Sequence, residues 1–83
     1  MKIGVIGIVI EGDKKTAAAV NALLSEYGDV IMGRMGVPHV ASGVNVISVA
    51  VKASLEQISA LTGKLGRLTG VKAKSAVADV NVD

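Results

Sequence analysis

Apolar residues in this chain recur with two different periods. Residues 3–10, Ile-Gly-Val-Ile-Gly-Ile-Val-Ile, are apolar on both alternating faces, which predicts a strand buried on both sides. Asp13 then stands where a helix N-cap belongs, and Ala17, Val20, Leu23, Leu24 and Tyr27 follow at helical spacing over 14–27. Gly28 reads as the left-handed residue that ends this helix. Residues 29–37 form a second strand, 38–43 a turn region holding Pro38, His39, Ser42 and Gly43, and 44–52 a third strand, again apolar on both faces. Ser54-Leu55-Glu56-Gln57 is a capping box, with Leu55, Ile58, Leu61, Leu65 and Leu68 as the apolar stripe of the helix it opens. Gly70 breaks that helix, and residues 71–77 alternate as a last strand.

The resulting order is βαββαβ, in two halves at about 1–37 and 44–78 joined by the turn. That is the ferredoxin-like pattern, an α+β sandwich of a four-stranded antiparallel sheet with two helices on one face. It places the first and third strands centrally, where the most apolar segments belong, and the fourth at an edge, where Lys72 and Lys74 blunt it. Helices cover only one face of such a sheet. Strands apolar on both faces therefore predict that the other side meets a partner, through sheet-to-sheet or edge-to-edge homo-oligomerisation. Residues 78–83 read as a mobile tail or a segment packed on a neighbour.

Composition strengthens this expectation. The chain has 83 residues, enough for one domain, and 51% of them are hydrophobic, although Phe, Trp and Cys are absent and Tyr27 is the single aromatic. A domain this small buries only about 60–65% of the surface of its unfolded chain, so the apolar excess points to a second burial surface. The absence of Cys excludes disulfides and thiolate metal sites.

The net charge of +2 is too small to argue for nucleic acid, although Lys52, Lys64, Arg67, Lys72 and Lys74 face Glu56 alone across that stretch. With no aromatic residue interleaved to stack on bases, these read as a solvated helix face and a charged strand edge. The run after Lys2 ends at Ile10 and charged residues follow at once, so it is read as a strand rather than a signal peptide. No run approaches the roughly 18–20 apolar residues of a membrane span, and the expected location is cytoplasmic.

Most candidate motifs fail on chemistry. Gly7 to Lys14 nearly spells a phosphate-binding loop, but its spacer is a β-branched strand and Asp13 stands where Lys is required. Neither a Gly-x-Ser-x-Gly elbow nor a pair of close carboxylates is present. Gly4 and Gly7 suit close approach of a helix or another subunit. Gly63 and Gly66, each costing about 1 kcal/mol inside a helix, suggest close packing against the sheet or a partner, or a ligand held by Lys64 and Arg67.

The segment Gly33-Arg34-Met35-Gly36-Val37-Pro38-His39 concentrates what chemistry remains. Arg34 can offer a fork of donors to a carboxylate or phosphate, or pair with Asp29, Glu11 or a subunit partner. His39, the only His, is a weak metal ligand alone and reads better as a capped turn residue. The expected ligand-binding residues are Arg34, Gly36, His39 and Lys64, with no catalytic and no metal-ligating residue named.

Arg34-Met35-Gly36-Val37-Pro38, Val44-Asn45-Val46-Ile47-Ser48-Val49, Ile58-Ser59-Ala60-Leu61-Thr62-Gly63-Lys64-Leu65-Gly66 and Gly70-Val71-Lys72-Ala73-Lys74-Ser75 together resemble the small iron-only hydrogenase system regulators. The resemblance covers about residues 3–77. That family is similar in fold to ACT domains and to the metal-sensing domain of the nickel-responsive repressor. It implies a non-enzymatic regulatory module that forms dimers or tetramers and senses a small molecule or metal at subunit interfaces. Nickel sensing does not carry over, because the repressor uses several His and a Cys. The repressor's DNA-binding segment is also missing, so a transcriptional effect would pass through a DNA-binding partner protein, with neither direct nucleic-acid contact nor a membrane expected. The rival readings are a small acylphosphatase-like enzyme, which Arg34 echoes from the wrong strand, and a nucleic-acid-binding domain built on Lys52–Lys74.

Overall fold

The computed structural model describes residues 1–81 and contains the elements β1 (Lys2–Glu11), α1 (Lys14–Glu26), β2 (Ile31–Ala41), β3 (Val44–Ala53), α2 (Leu55–Gly66) and β4 (Val71–Asn81). The strands form one antiparallel sheet in the order β2-β3-β1-β4. This is the ferredoxin-like βαββαβ sandwich that the element order predicts, with the two most apolar strands at its centre. No helix among the described residues is long and apolar enough to cross a membrane.

Both helices start where their caps place them. Asp13 Oδ1 accepts from Lys15 N at 3.0 Å and Thr16 N at 3.1 Å. Ser54 Oγ accepts from Gln57 N at 3.1 Å while Gln57 Oε1 accepts from Ser54 N at 3.0 Å, which completes the capping box. The helix ends differ from expectation. Tyr27 is the C-cap of α1, and Gly28 lies outside the left-handed region. It is Gly70, at φ 81°, that needs a glycine's freedom, because the chain there approaches Glu11, whose N–H donates to Gly70 O at 2.7 Å.

The core lies between the helices and one face of the sheet. Ile6, Ile8 and Ile10 of β1 and Ile47, Val49 and Val51 of β3 meet Val20 and Leu24 of α1 and Ile58, Leu61 and Leu65 of α2. Leu55, expected in the α2 stripe, is 54% exposed and lies off the buried face that Ile58, Leu61 and Leu65 form. Gly4 lies under α2 and beside β4: a Cβ there would lie 3.3 Å from Ile58 Cδ1 and 3.2 Å from Ala76 O. Gly63 and Gly66 have no such reason among the described residues, since a Cβ at either would meet nothing closer than 3.9 Å. The expectation that they pack against the sheet is therefore corrected.

The central strands are buried on one face only. β1 alternates strictly, with Gly4, Ile6, Ile8 and Ile10 buried and Val5 and Val9 at 46% and 37% exposure. The expectation of a strand buried on both faces fails within the protomer, because two helices can cover one side of a sheet and none of the described residues folds over the other.

The strands also run longer than the sequence suggested. β2 continues through Pro38 and His39 to Ala41, which leaves Ser42 and Gly43 as the hairpin turn, and β4 continues past Val77 to Asn81. The expected tail thus begins as strand, and its last two residues lie outside the described part of the chain. Two bulges shape the edge strand β2. Met32 is one extra residue against β3, and Pro38-His39-Val40 stand opposite Asn45 alone. Such bulges twist an edge away from unwanted pairing.

Candidate functional site

Bulged strand and helix cap meet at one end of the sheet. The three-residue bulge forces His39 to φ 55°, the left-handed region that non-glycine residues seldom adopt. The Asn45 side chain holds it there: Asn45 Oδ1 accepts from His39 N at 2.9 Å, in place of a ladder bond. The β1–α1 loop faces this hairpin. Between them lies a hollow of about 430 Å³ lined by Gly12, Asp13, Lys14, His39, Gly43 and Asn45. Its polar groups carry both charge signs, the Asp13 carboxylate and the Lys14 ammonium, beside an imidazole and a carboxamide. Asp13 is already fixed by its bonds to the start of α1, so its position is set before any ligand arrives.

Of the four residues nominated from sequence, His39 alone reaches this hollow. Arg34 lies on the helix side of β2, where its Nη2 donates to Asn21 Oδ1 of α1 at 2.6 Å rather than to Asp29 or Glu11. Gly36 helps to form a second, largely apolar hollow of about 220 Å³ over Ile10 and Ile47, which shares Asn45 with the first. Lys64 sits on α2 with its ammonium 5.1 Å from the centroid of the Tyr27 ring. Its pKa is raised above the ordinary lysine value, with the Tyr27 hydroxyl as the largest cause. His39 and Gly36 thus line adjoining hollows, while Arg34 and Lys64 lie apart from both.

Asp13, Lys14 and Asn45 were not nominated. The sequence presents Asp13 as a helix cap and as the residue that spoils a phosphate loop, and Lys14 as the first residue of that helix. Asn45 carried a usable signal, being the one amide in the apolar run from Val44 to Val51. Among the described residues no three His, Asp or Glu side chains come together as a metal site would require.

A third hollow, about 310 Å³, opens on the uncovered face of the sheet between Val5, Gly33, Arg34, Met35, Ser48 and Ala50. Its floor is made of small residues and its walls of exposed apolar ones.

A protein-family model described as "TM1266-like: Iron-only hydrogenase system regulator, putative" matches residues 2–75, from the first strand into the last. The chain belongs to this family. Among solved structures, the Thermotoga maritima protein TM1266 superposes with a TM-score of 0.89 at 31% identity, over 94% of this chain and 98% of that one. Two more distant neighbours share the fold of this TM1266-like chain. The C-terminal domain of the Mycobacterium tuberculosis MgtC protein gives a TM-score of 0.73 at 11% identity, over 95% of this chain and 89% of that domain. An ACT domain protein from Streptococcus pneumoniae gives 0.63 at 18% identity, over 93% and 90%. No curated protein sequence matches the chain. The TM1266-like fold is thus ACT-like, and the β2–β3 hairpin that bounds the polar hollow falls within the matched family region.

Proposed function

We propose that this protein is a regulatory, ligand-binding module of an iron-only hydrogenase system, and that it works as a homo-oligomer without catalysing a reaction itself. The observation that carries the reading is the polar hollow between the β1–α1 loop and the β2–β3 hairpin, in which Asp13, Lys14, His39 and Asn45 converge. Its chemistry suits a small polar molecule bearing both a cationic and an anionic group: Lys14 meets the anion, Asp13 the cation, and Asn45 serves as donor or acceptor. Family membership supports the regulatory role. A ligand there would bridge a helix N-terminus and a bulged edge strand, and so could tighten one against the other.

Thermal unfolding against amino acids, nucleotides and divalent cations tests the reading. A site-specific ligand at a hundredfold excess over its Kd adds about 2.7 kcal/mol. In a domain of this size that raises the Tm by about 10–20 °C. Lys14→Ala should remove the shift and Arg34→Ala should not. Flat melting curves across all three classes would sink the proposal.

A further inference from the structure

The uncovered face of the sheet carries an ordered pattern across its strands. Strand register aligns its side chains in three rows running from β2 to β4. The first row is Gly33, Ala50, Val5 and Ala76, the second Met35, Ser48, Gly7 and Lys74, and the third Val37, Val46, Val9 and Lys72. Large apolar residues stand exposed on it: Met35 at 65%, Val5 at 46% and Val37 at 41%. Between them are small ones. A Cβ at Gly33 would meet nothing within 4 Å, and one at Gly7 only Lys74 O at 3.9 Å, so neither glycine is required by packing inside the protomer.

We propose that this face docks on the same face of a second copy of the chain, about a two-fold axis that runs parallel to the strands between β3 and β1. The inference rests on the homo-oligomeric reading above and specifies its geometry. Such an axis lays each row over the same row of the partner in reverse order. Val5 then seats over the partner's Ala50, and Ala50 under the partner's Val5, so that large meets small twice. Gly7 lies over the partner's Ser48. Val9 lies over the partner's Val46. The aliphatic stems of Lys74 and Lys72 cover the partner's Met35 and Val37, while their ammonium groups reach the solvent beyond the edge strand.

Packing and charge on these three rows select this axis over the alternative. A two-fold axis perpendicular to the strands would lay β4 on β4 and bring Lys74 against the partner's Lys74, a like-charge contact in an interface. It would also stack Val5 on the partner's Val9 and leave Gly7 opposite the partner's Gly7, so bulk would meet bulk and a void would face a void. On these three rows the strand-parallel axis removes both faults; in the row beyond them it sets Lys52 over the partner's Ile3 and diagonal to the partner's Lys52, at the end of the sheet where the ammonium groups reach solvent. It also gives the self-complementary contact that a closed dimer requires.

The area is sufficient. Four strands about 4.8 Å apart and about 33 Å long present a footprint of about 600 Å² per copy. Two such faces together reach about 1,200 Å², the lower bound for a specific interface. Sheets packed in this way lie about 10 Å apart with their strands within about 30° of alignment. The hollow of about 310 Å³ on this face is closed from above by the partner's Val5, the partner's Ala76 and the stem of the partner's Lys74.

Reciprocal charge variants test the pairing. Sedimentation equilibrium of the wild-type chain should show a dimer. Val5→Lys and Ala50→Asp should each weaken it about a hundredfold, because each places an unpaired charge in the interface. Both positions are exposed in the protomer, so circular dichroism should show each variant folded. Mixing the two variants should restore a one-to-one heterodimer. In it the carboxylate introduced at position 50 of one chain meets the ammonium introduced at position 5 of the other, and the second contact is wild-type.

A mixture that stays monomeric while the wild type dimerises would overturn the strand-parallel face-to-face packing and leave the homo-oligomeric reading intact. A wild-type chain that remains monomeric at high micromolar concentration would overturn both. A monomer that instead captures duplex DNA would assign Lys52, Lys72 and Lys74 to nucleic acid and overturn the proposal as well.

Discussion

Asn45 of β3 holds His39 of β2 by its backbone, its Oδ1 accepting from His39 N at 2.9 Å across a bulge of three residues against one. The bond shapes the hairpin end that forms one wall of the polar hollow. Asn45→Val should lose it and leave the His39 N–H without a protein partner. The expected loss is about 1 kcal/mol of stability in urea unfolding, with weaker ligand-induced stabilisation than the wild type shows.

His39 gives a cleaner separation of structure from binding. At φ 55° a side chain with a Cβ is strained, and a β-branched one more so. His39→Gly should therefore leave stability unchanged or raise it by up to about 1 kcal/mol, whereas His39→Val should lower it by more than about 1 kcal/mol. If the imidazole contacts ligand, His39→Gly loses ligand-induced stabilisation while keeping the fold. Unchanged ligand response in His39→Gly would remove the imidazole from the site.

Two glycines should respond in opposite directions to Ala. Gly4→Ala forces a methyl group between Ile58 Cδ1 and Ala76 O, each nearer than 3.4 Å, and should destabilise by about 1–3 kcal/mol. Gly63→Ala meets nothing closer than Arg67 Nη2 at 3.9 Å and should stabilise α2 by up to about 1 kcal/mol. A destabilised Gly63→Ala oligomer, with a stabilised monomer, would instead reveal a close contact with another copy.

Lys64 should titrate above an ordinary lysine, and Tyr27→Phe should bring it down, since the Tyr27 hydroxyl is the largest cause of the shift. The sign follows from linkage. A folded-state pKa above the unfolded one contributes stability that is fully present below the unfolded lysine value and is lost as pH rises through the raised value. The contribution is therefore present in full near neutral pH, where stability does not vary with pH on its account, and it is lost only in alkaline solution. NMR titration of the Lys64 side chain in both proteins checks this. Equal values in the two would show that the hydroxyl plays no part.

The order of elements was legible in the sequence because each rests on local physics. Asp13 and Ser54 announce helix starts through oxygens that accept orphan N–H groups, and the apolar periods separate strand from helix. The two central strands could likewise be picked out by their apolar content. Periodicity misled at β1 and β3 for a physical reason. An apolar residue reports that a surface should leave water, not which chain will cover it, so Val5 and Val9 read as core although the protomer leaves them open.

What the tertiary structure alone decided is which distant residues meet. Arg34 found Asn21, and not a carboxylate, because β2 lies beside β3 with α1 across its helix side. His39 met Asp13 and Lys14 because antiparallel pairing of β1 with β3 brings the β2–β3 hairpin to the end of the sheet where α1 begins. A bulge and a register depend on contacts between segments far apart in the chain, and no local pattern encodes them. The rows of the open face, with Val5 set beside Ala50, exist only once that register is fixed.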